Sequence, residues 1–339
     1  MTSQPFSNMV VAPSSVEEIV KAAINRARRR SSGFKGNKLL SAKRSAMVYL
    51  TSLYSYTVSR IRSICFSVPR IDSLHPFYRE LVRLLVDVDA FKMSLAKLYS
   101  ASKVLERISR EELLKIKRVR ELDHVKTLRR EFLGRYFSVI ESIEEDLKVV
   151  RKYQLALIKL QAINPTLRTI VVAGPPNVGK SSFVRAVSRA KPEVREYPFT
   201  TKSLSVGHLE VEGEKIQIID TPGLLDRPLS LRNRIELQAI LALKYLADVI
   251  IFLLDPSEAC GFTLEQQVKV LKDVESAFKG LPIIKALNKI DIAPRESVRR
   301  AEELVGPGVY KISILKGINV DVVLREALTL LKSVERLNT

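Results

Sequence analysis

The chain has 339 residues, of which 46% are hydrophobic and 27% charged, with a formal net charge of +19. That length is better filled by two cores than by one, and a positive field this strong favours a polyphosphate surface, nucleic acid or anionic membrane, over a small acidic substrate. Two cysteines outside any CxxC pair and three scattered histidines predict reduced thiols and no zinc site, and the lack of a charged leader or bilayer-length apolar run predicts a soluble, cytoplasmic-type chain without integral membrane association.

The charge is uneven. Residues 1–165 carry 31 Lys and Arg against 16 Asp and Glu, a net +15, whereas the remaining 174 carry 25 against 21, a net +4. Residues 1–14 are polar and without period, and Ser15 with Glu18 matches a capping box opening a helix from Val16 to about Arg29. Arg26, Arg28, Arg29, Arg30, Lys35, Lys38, Lys43 and Arg44 then surround the break at Ser31-Ser32-Gly33. Such runs are commonly the solvated faces of helices, but this one is the favoured contact for a phosphate backbone.

A second helix is expected from Leu39 to about Phe66 and a third from about Phe77 to Tyr99, after the breakers at Pro69 and Ser73 to Pro76. From Arg110 to Ile163 the composition is helical, with a bend expected near Gly134 and a stripe of Ile140, Ile143, Leu147 and Val150 expected to be bundle core. Asn164-Pro165 ends that helix and marks a boundary between an all-α bundle, residues 1–165, and a second domain, residues 166–339. Beyond it short β-branched runs at Thr169–Ala173, Ser205–Val211, Lys215–Ile219, Val249–Leu254, Ile283–Leu287 and Val309–Ile312 alternate with helical segments, which predicts a mostly parallel, doubly wound sheet. Ligands of such sheets bind at the carboxyl ends of the strands.

The motifs fall at those ends. Gly174-Pro175-Pro176-Asn177-Val178-Gly179-Lys180-Ser181, followed by Ser182, fits a phosphate-binding P-loop between a strand and a helix. Its backbone N–H groups can turn towards phosphates, Lys180 can neutralise the β- and γ-oxygens, and the Ser181 hydroxyl can ligate magnesium. Asp220-Thr221-Pro222-Gly223 follows a strand, so Asp220 should orient the magnesium and the Gly223 amide should report on a γ-phosphate. Asn288-Lys289-Ile290-Asp291 follows another strand. The Asp291 carboxylate can accept from N1 and N2 of guanine, whereas adenine offers no such donor pair, so the motif selects GTP and GDP over ATP. Ser313-Ile314-Leu315 can present a backbone N–H to the base oxygen.

With these motifs in place, Tyr197-Pro198-Phe199-Thr200-Thr201 resembles the first switch of Obg-type GTPases, and by that resemblance Thr201 closes over the magnesium ion. The run from Asp220 to Pro228 and the stretch Asp255-Pro256-Ser257-Glu258-Ala259-Cys260-Gly261-Phe262 resemble the Nog family, the nucleolar GTP-binding proteins. The family also carries a helical domain before its P-loop GTPase domain, and a chain ending at Thr339 resembles its short archaeal form. The resemblance implies maturation of the large ribosomal subunit, with ribosomal RNA and the subunit precursor as partners.

Where Ras-like enzymes place a water-orienting glutamine, this chain has Leu224, which has no polar atom to hold water. Slow intrinsic hydrolysis is therefore expected, with Lys180, Thr201 and Gly223 as the catalytic set. Asn177 resembles the asparagine with which related GTPases hold a potassium ion beside the phosphates. Asp226 and Arg227 are expected either in the second switch or in a surface ion pair, and His208 in a structural role. Two other functions remain open: an RNA-binding scaffold with nucleotide as structural ligand, and a membrane switch, which the lack of a lipidation motif disfavours.

Overall fold

The computed structural model describes residues 4–34, 37–160, 163–188, 193–196, 203–221 and 225–333. The chain forms two compact units, one of residues 5–73 with 85–159 and the other of residues 1–4 and 74–84 with the chain from 160 onward.

The first unit is helical: α1 (Val16–Ser31), α2 (Lys38–Ser67), then α4 (Val88–Arg118), α5 (Leu122–Glu141) and α6 (Glu144–Ile158), with α3 (Pro76–Leu85) lying in the other unit. The helix expected from Phe77 to Tyr99 is two helices, because Asp87 caps α4 by accepting from the amides of Asp89 at 3.1 Å and Ala90 at 3.0 Å. An N-cap aspartate satisfies amides of the first turn and so favours a helix start there, by about 0.5–2 kcal/mol. The long helix after Arg110 is likewise broken, but at residues 119–121 and 142–143, while Gly134 sits unbent inside α5, where an added Cβ would meet nothing within 4 Å. The capping expectation is off by one residue: Ser15 is the N-cap but makes no side-chain cap bond, and Glu18 instead accepts from the Ser14 amide at 3.1 Å and from its hydroxyl.

Buried positions three and four residues apart put α2 and α4 at the centre of the bundle, with α1 against α2, and α5 and α6 against α4. Leu50, Leu53, Ile61, Leu98 and Leu105 are fully buried, each worth about 1.5–3 kcal/mol over exposure. Ile140, Ile143, Leu147 and Val150 are core, as their spacing predicts. The residues before α1, which read as aperiodic, are core as well: Phe6 and Ala12 are fully buried, and Gln154 of α6 holds that arm by accepting from the Ala12 amide at 2.8 Å and donating to Val10 O at 3.1 Å. Burial pushes the Cys65 thiol up to about 11. At pH 8 about one such thiol in a thousand is ionised, so Ellman's reagent is expected to leave Cys65 unreacted in native protein and to titrate it once the chain is unfolded; rapid native reaction would contradict the burial.

The second unit is a seven-stranded sheet in the order β2-β3-β4-β1-β5-β6-β7. Its strands are β1 (Arg168–Ala173), β2 (Glu193–Glu196), β3 (Ser203–Val211), β4 (Glu214–Asp220), β5 (Val249–Leu254), β6 (Ile283–Leu287) and β7 (Val309–Lys311). The ladders from β4 through β1, β5 and β6 to β7 are parallel, and β2 and β3 form an antiparallel edge. β2 was not legible in sequence, since Glu-Val-Arg-Glu carries no strand pattern and pairs only as the outermost ribbon. Ile170, Val171, Val172 and Ala173 of β1 are all fully buried, which a strand covered on both faces requires. Helices α7 (Lys180–Val187) and α11 (Val320–Ser333) share one core with β1 and β5, while α9 (Leu264–Ala277) and α10 (Arg295–Val305) pack against β5 and β6. α8 (Arg234–Ala242) completes the unit. α3 also belongs here, with Phe77, Leu81 and Val82 buried and the Tyr78 hydroxyl donating to Ile163 O at 2.7 Å. Among the described residues no helix is long and apolar enough to cross a membrane.

Candidate functional site

The carboxyl ends of β1, β4, β5 and β6 deliver four loops to one edge of the sheet. Residues 174–179 turn from β1 into α7 with Gly174 at φ +137°, Asn177 at +60° and Gly179 at +104°. A Cβ on Gly174 would lie 2.3 Å from Leu253 O, and one on Gly179 would lie 2.4 Å from Asn288 Nδ2. Both glycines are therefore required by close approach of neighbouring strand ends as well as by φ. Lys180 is buried, its Nζ donating to Gly174 O at 2.8 Å and Pro175 O at 2.7 Å, which holds the ammonium inside the curl of the loop.

Asp220 ends β4 fully buried, and its Oδ2 accepts from the Ser181 hydroxyl. Its Oδ1 has no hydrogen-bond partner. Burial is the main cause that pushes this carboxyl above its usual range, opposed by the Ser181 hydrogen bond and the charge of Lys180. A desolvated carboxylate oxygen without a partner beside a serine hydroxyl is a hard-oxygen donor set that fits a small divalent cation. Thr221 tucks its hydroxyl onto Val172 O at 2.8 Å and so fixes Asp220 against β1.

Asn288 fastens the site together. Its amide donates to Val178 O at 2.8 Å, and its carbonyl oxygen accepts from the Ile314 amide at 3.0 Å, so one side chain ties the phosphate loop to the loop after β7. Of the segment Ser313-Ile314-Leu315, expected to present a backbone N–H to the base, the Ile314 amide is thus engaged by Asn288; Ser313 is fully buried and Leu315 is 86% exposed. Asn177, Gly179, Ser182, Asn288, Lys289 and Asp291 are among the residues lining a cleft of about 590 Å³. The structure therefore brings together Gly174, Pro175, Pro176, Asn177, Val178, Gly179, Lys180, Ser181 and Ser182 with Asp220, and, through Asn288, with Lys289, Asp291, Ser313 and Ile314. Residues 197–201 of the first switch, Thr201 included, and Gly223 with Leu224 lie outside the described residues.

Sequence reasoning missed the part played by Asp255. This fully buried carboxylate accepts from Lys289 Nζ at 2.7 Å and from the Cys260 amide at 2.9 Å with one oxygen, and from the Ser257 amide at 2.9 Å with the other. Gln267 braces it by accepting from the Asp255 amide at 2.8 Å. Lys289 has φ +63°, so the ion pair also holds a backbone conformation that a non-glycine residue adopts at a cost. The signal was present, since an aspartate just past one strand, in a motif already singled out, is a natural partner for a lysine just past the neighbouring strand. Replacing Asp255 with asparagine removes the charge pairing while keeping size, and is expected to weaken fluorescent GDP binding about tenfold, mostly through faster release. An unchanged release rate would show that the pair does not position Lys289 for ligand.

Asp226 differs from its expected surface role. It is buried with Arg232, Nη2 to Oδ1 at 2.8 Å, with side chains 9% and 3% exposed. Desolvation is the main cause holding the Arg232 guanidinium below its usual range. Arg227 alone keeps a surface ion pair, 3.5 Å from Glu236. The turn at Leu225, whose carbonyl accepts from the Gly174 amide at 3.1 Å, draws Asp226 inward.

A glycine-bound loop around a buried lysine, a serine and aspartate at the metal position, and an Asn-Lys-x-Asp loop on a doubly wound sheet define a P-loop GTPase fold, here with an all-helical unit before it. Residues 6–164 match the family described as NOG1 N-terminal helical domain, and residues 234–291 match nucleolar GTP-binding protein 1 (NOG1). An uncharacterised protein of Methanocaldococcus jannaschii is 37% identical over 302 residues, 88% of this chain and 84% of that one. The nucleolar GTP-binding protein 1 of Drosophila melanogaster is 39% identical over 239 residues, 70% of this chain but only 37% of that protein. A crystal structure of the Plasmodium falciparum nucleolar GTP-binding protein 1 shares 38% identity at a TM-score of 0.44, covering 51% of this chain and 91% of that one. The chain belongs to the nucleolar GTP-binding protein 1 family. It spans well under half the length of the fly relative.

Proposed function

We propose that this chain is a GTP-binding and GTP-hydrolysing assembly factor of the large ribosomal subunit, with residues 1–165 contacting RNA and residues 166–339 acting as the GTPase domain. The observation that carries the nucleotide reading is Asn288, which joins the phosphate loop to the base loop across a cleft that Asp291 also lines. Asp291 would accept from guanine N1 and N2. Lys180 would exchange its carbonyl partners for phosphate oxygens, and Ser181 with Asp220 would hold magnesium, whose role when bound is to neutralise charge developing on the β- and γ-oxygens. The names borne by the relatives and the cationic N-terminal half support ribosomal RNA and the subunit precursor as partners.

In this reading Thr201 and Gly223 sense the γ-phosphate, and hydrolysis releases them to change RNA affinity. Leu224 cannot orient water, so the RNA or a ribosomal protein supplies what speeds hydrolysis. Calorimetry with magnesium is expected to show GDP and GTP binding at micromolar affinity or tighter and ATP at least a hundredfold weaker. Failure to bind guanine nucleotides, or a preference for adenine, sinks the proposal. Asn177, with φ +60° at the mouth of the loop, is the candidate support for potassium, and basal turnover is expected to rise about tenfold from sodium to potassium buffer. Equal rates in the two buffers would remove that role.

A further inference from the structure

From the side chains that α7 presents to the cleft, we infer that Arg185 grips the α-phosphate of the bound guanine nucleotide and so sets its ground-state affinity. The inference rests on the proposed guanine-nucleotide reading and adds to it a residue outside its motifs. Ser181, at the metal position with Asp220, is followed by Ser182, and Ser182, Arg185 and Ala186 line the same cleft as Asn288, Lys289 and Asp291. This wall of α7 therefore runs from the metal position towards the base loop. A base is joined to its terminal phosphates by the ribose and the α-phosphate, and of those two only the phosphate is charged.

The helix itself aims the side chain at that stretch. Arg185 Nε donates to Ser181 O at 3.2 Å and Nη2 lies 3.5 Å from Ser182 Oγ, so the side chain folds back towards the amino end of α7. The residue is exposed, and among the described residues no carboxylate pairs with it and its side chain makes no other hydrogen bond, which leaves both N–H groups of Nη1 for a ligand. A cation gains nothing there by itself. A helix carries about half a positive charge at its amino end, Lys180 opens α7, and the first turn holds no acidic residue. An arginine serving only solubility would lie more favourably in open water, away from Lys180. An anion reverses the sign, because backbone amides, ammonium and guanidinium then all face opposite charge. Burial is the main cause that raises the Asp220 carboxyl, and the Arg185 charge is among those that oppose it, so the guanidinium is felt at the metal position too. Its planar fork also suits two phosphate oxygens at once. The α-phosphate is common to GTP and GDP, and its charge changes little while the bond to the γ-phosphate breaks. A contact to it binds substrate and transition state alike, which lowers KM and leaves kcat alone.

The test titrates fluorescent GDP and GTP into the full chain with magnesium. Arg185→Gln is expected to weaken both about tenfold and to raise KM for GTP by a similar factor with kcat unchanged. Arg185→Lys, which keeps the charge but not the fork, is expected to recover about threefold of that loss. Lys272→Gln, which removes an exposed charge from α9, should change neither. Thermal unfolding of the nucleotide-free variants, expected to match the wild type because the side chain is exposed, separates loss of contact from loss of fold. With one of the two diastereomers of guanosine 5′-(1-thiodiphosphate), where sulfur replaces an α-oxygen, the loss in Arg185→Gln is expected to shrink to about twofold, because the poorer acceptor has already given up the contact. A fall in kcat, or a larger loss for GTP than for GDP, would put the guanidinium on the γ-phosphate and overturn the assignment. Equal losses with GDP and both diastereomers would do the same. If the wild-type chain binds GDP and Arg185→Gln binds it as tightly, Arg185 takes no part in recognition and the guanine-nucleotide reading stands. If the wild-type chain takes up no guanine nucleotide, the reading and the inference fall together.

Discussion

Changing Asp291 to asparagine is expected to reduce GDP and GTP affinity by about a thousandfold and to raise affinity for xanthosine diphosphate. The carboxylate offers two acceptors, which suits the paired N1 and N2 donors of guanine. Asparagine offers one acceptor and one donor, so one guanine hydrogen bond is lost and an N–H faces an N–H. Two charge-assisted bonds of about 1.5–3 kcal/mol each set the size of the loss. Xanthine has an oxygen in place of the amino group, and the new donor meets it. Asp291 is exposed at the lip of the cleft, so the fold should be indifferent to the change. Competition between GDP and xanthosine diphosphate reads the result directly. A variant that keeps its preference for guanine would show that another group reads the base.

Gly174→Ala is expected to act through the backbone. At φ +137° any side chain is strained, and the new Cβ would sit 2.3 Å from the carbonyl oxygen of Leu253, a fully buried residue of the central strand β5. A flexible side chain could yield at that distance, but a laddered strand cannot. The left-handed conformation costs roughly 1–2 kcal/mol and the overlap roughly 1–3 kcal/mol more. The loop is expected to shift, breaking the Gly174 amide bond to Leu225 O and the Lys180 bond to Gly174 O. Denaturant unfolding should show a loss of about 2–5 kcal/mol, and nucleotide binding should fall below detection. Gly213→Ala is the useful comparison, because its φ is +83° but nothing lies within 4 Å of an added Cβ, so only strain remains. Equal stability losses in the two variants would mean that the approach of Leu253 contributes nothing.

What the sequence determined by itself was whatever depends on local pattern. The apolar runs at Val249–Leu254 and Ile283–Leu287 are strands with those bounds; the first is buried at every position, as a strand covered on both faces requires, and the second is buried at Ile284, Ala286 and Leu287. The P-loop, Asp220 and Asn288 to Asp291 were legible because each ligand class demands particular atoms at fixed spacing beside a strand end. Where a polar side chain serves the backbone, pattern was silent. Asp87 splits a helix that periodicity ran through, and Gln154 turns an aperiodic arm into core.

Tertiary structure alone decided the pairings that join distant residues. Asp255 meets Lys289, Asp226 is drawn into the interior with Arg232, and Lys43 reaches the end of α4. None of these leaves a periodic trace, because an ion pair or a carbonyl contact constrains two side chains and not the residues between them. Charge showed the same division: composition established that the N-terminal half is cationic, and only the fold determined which cations meet a carboxylate. That choice depends on distances of a few ångströms between helices, which no linear spacing encodes.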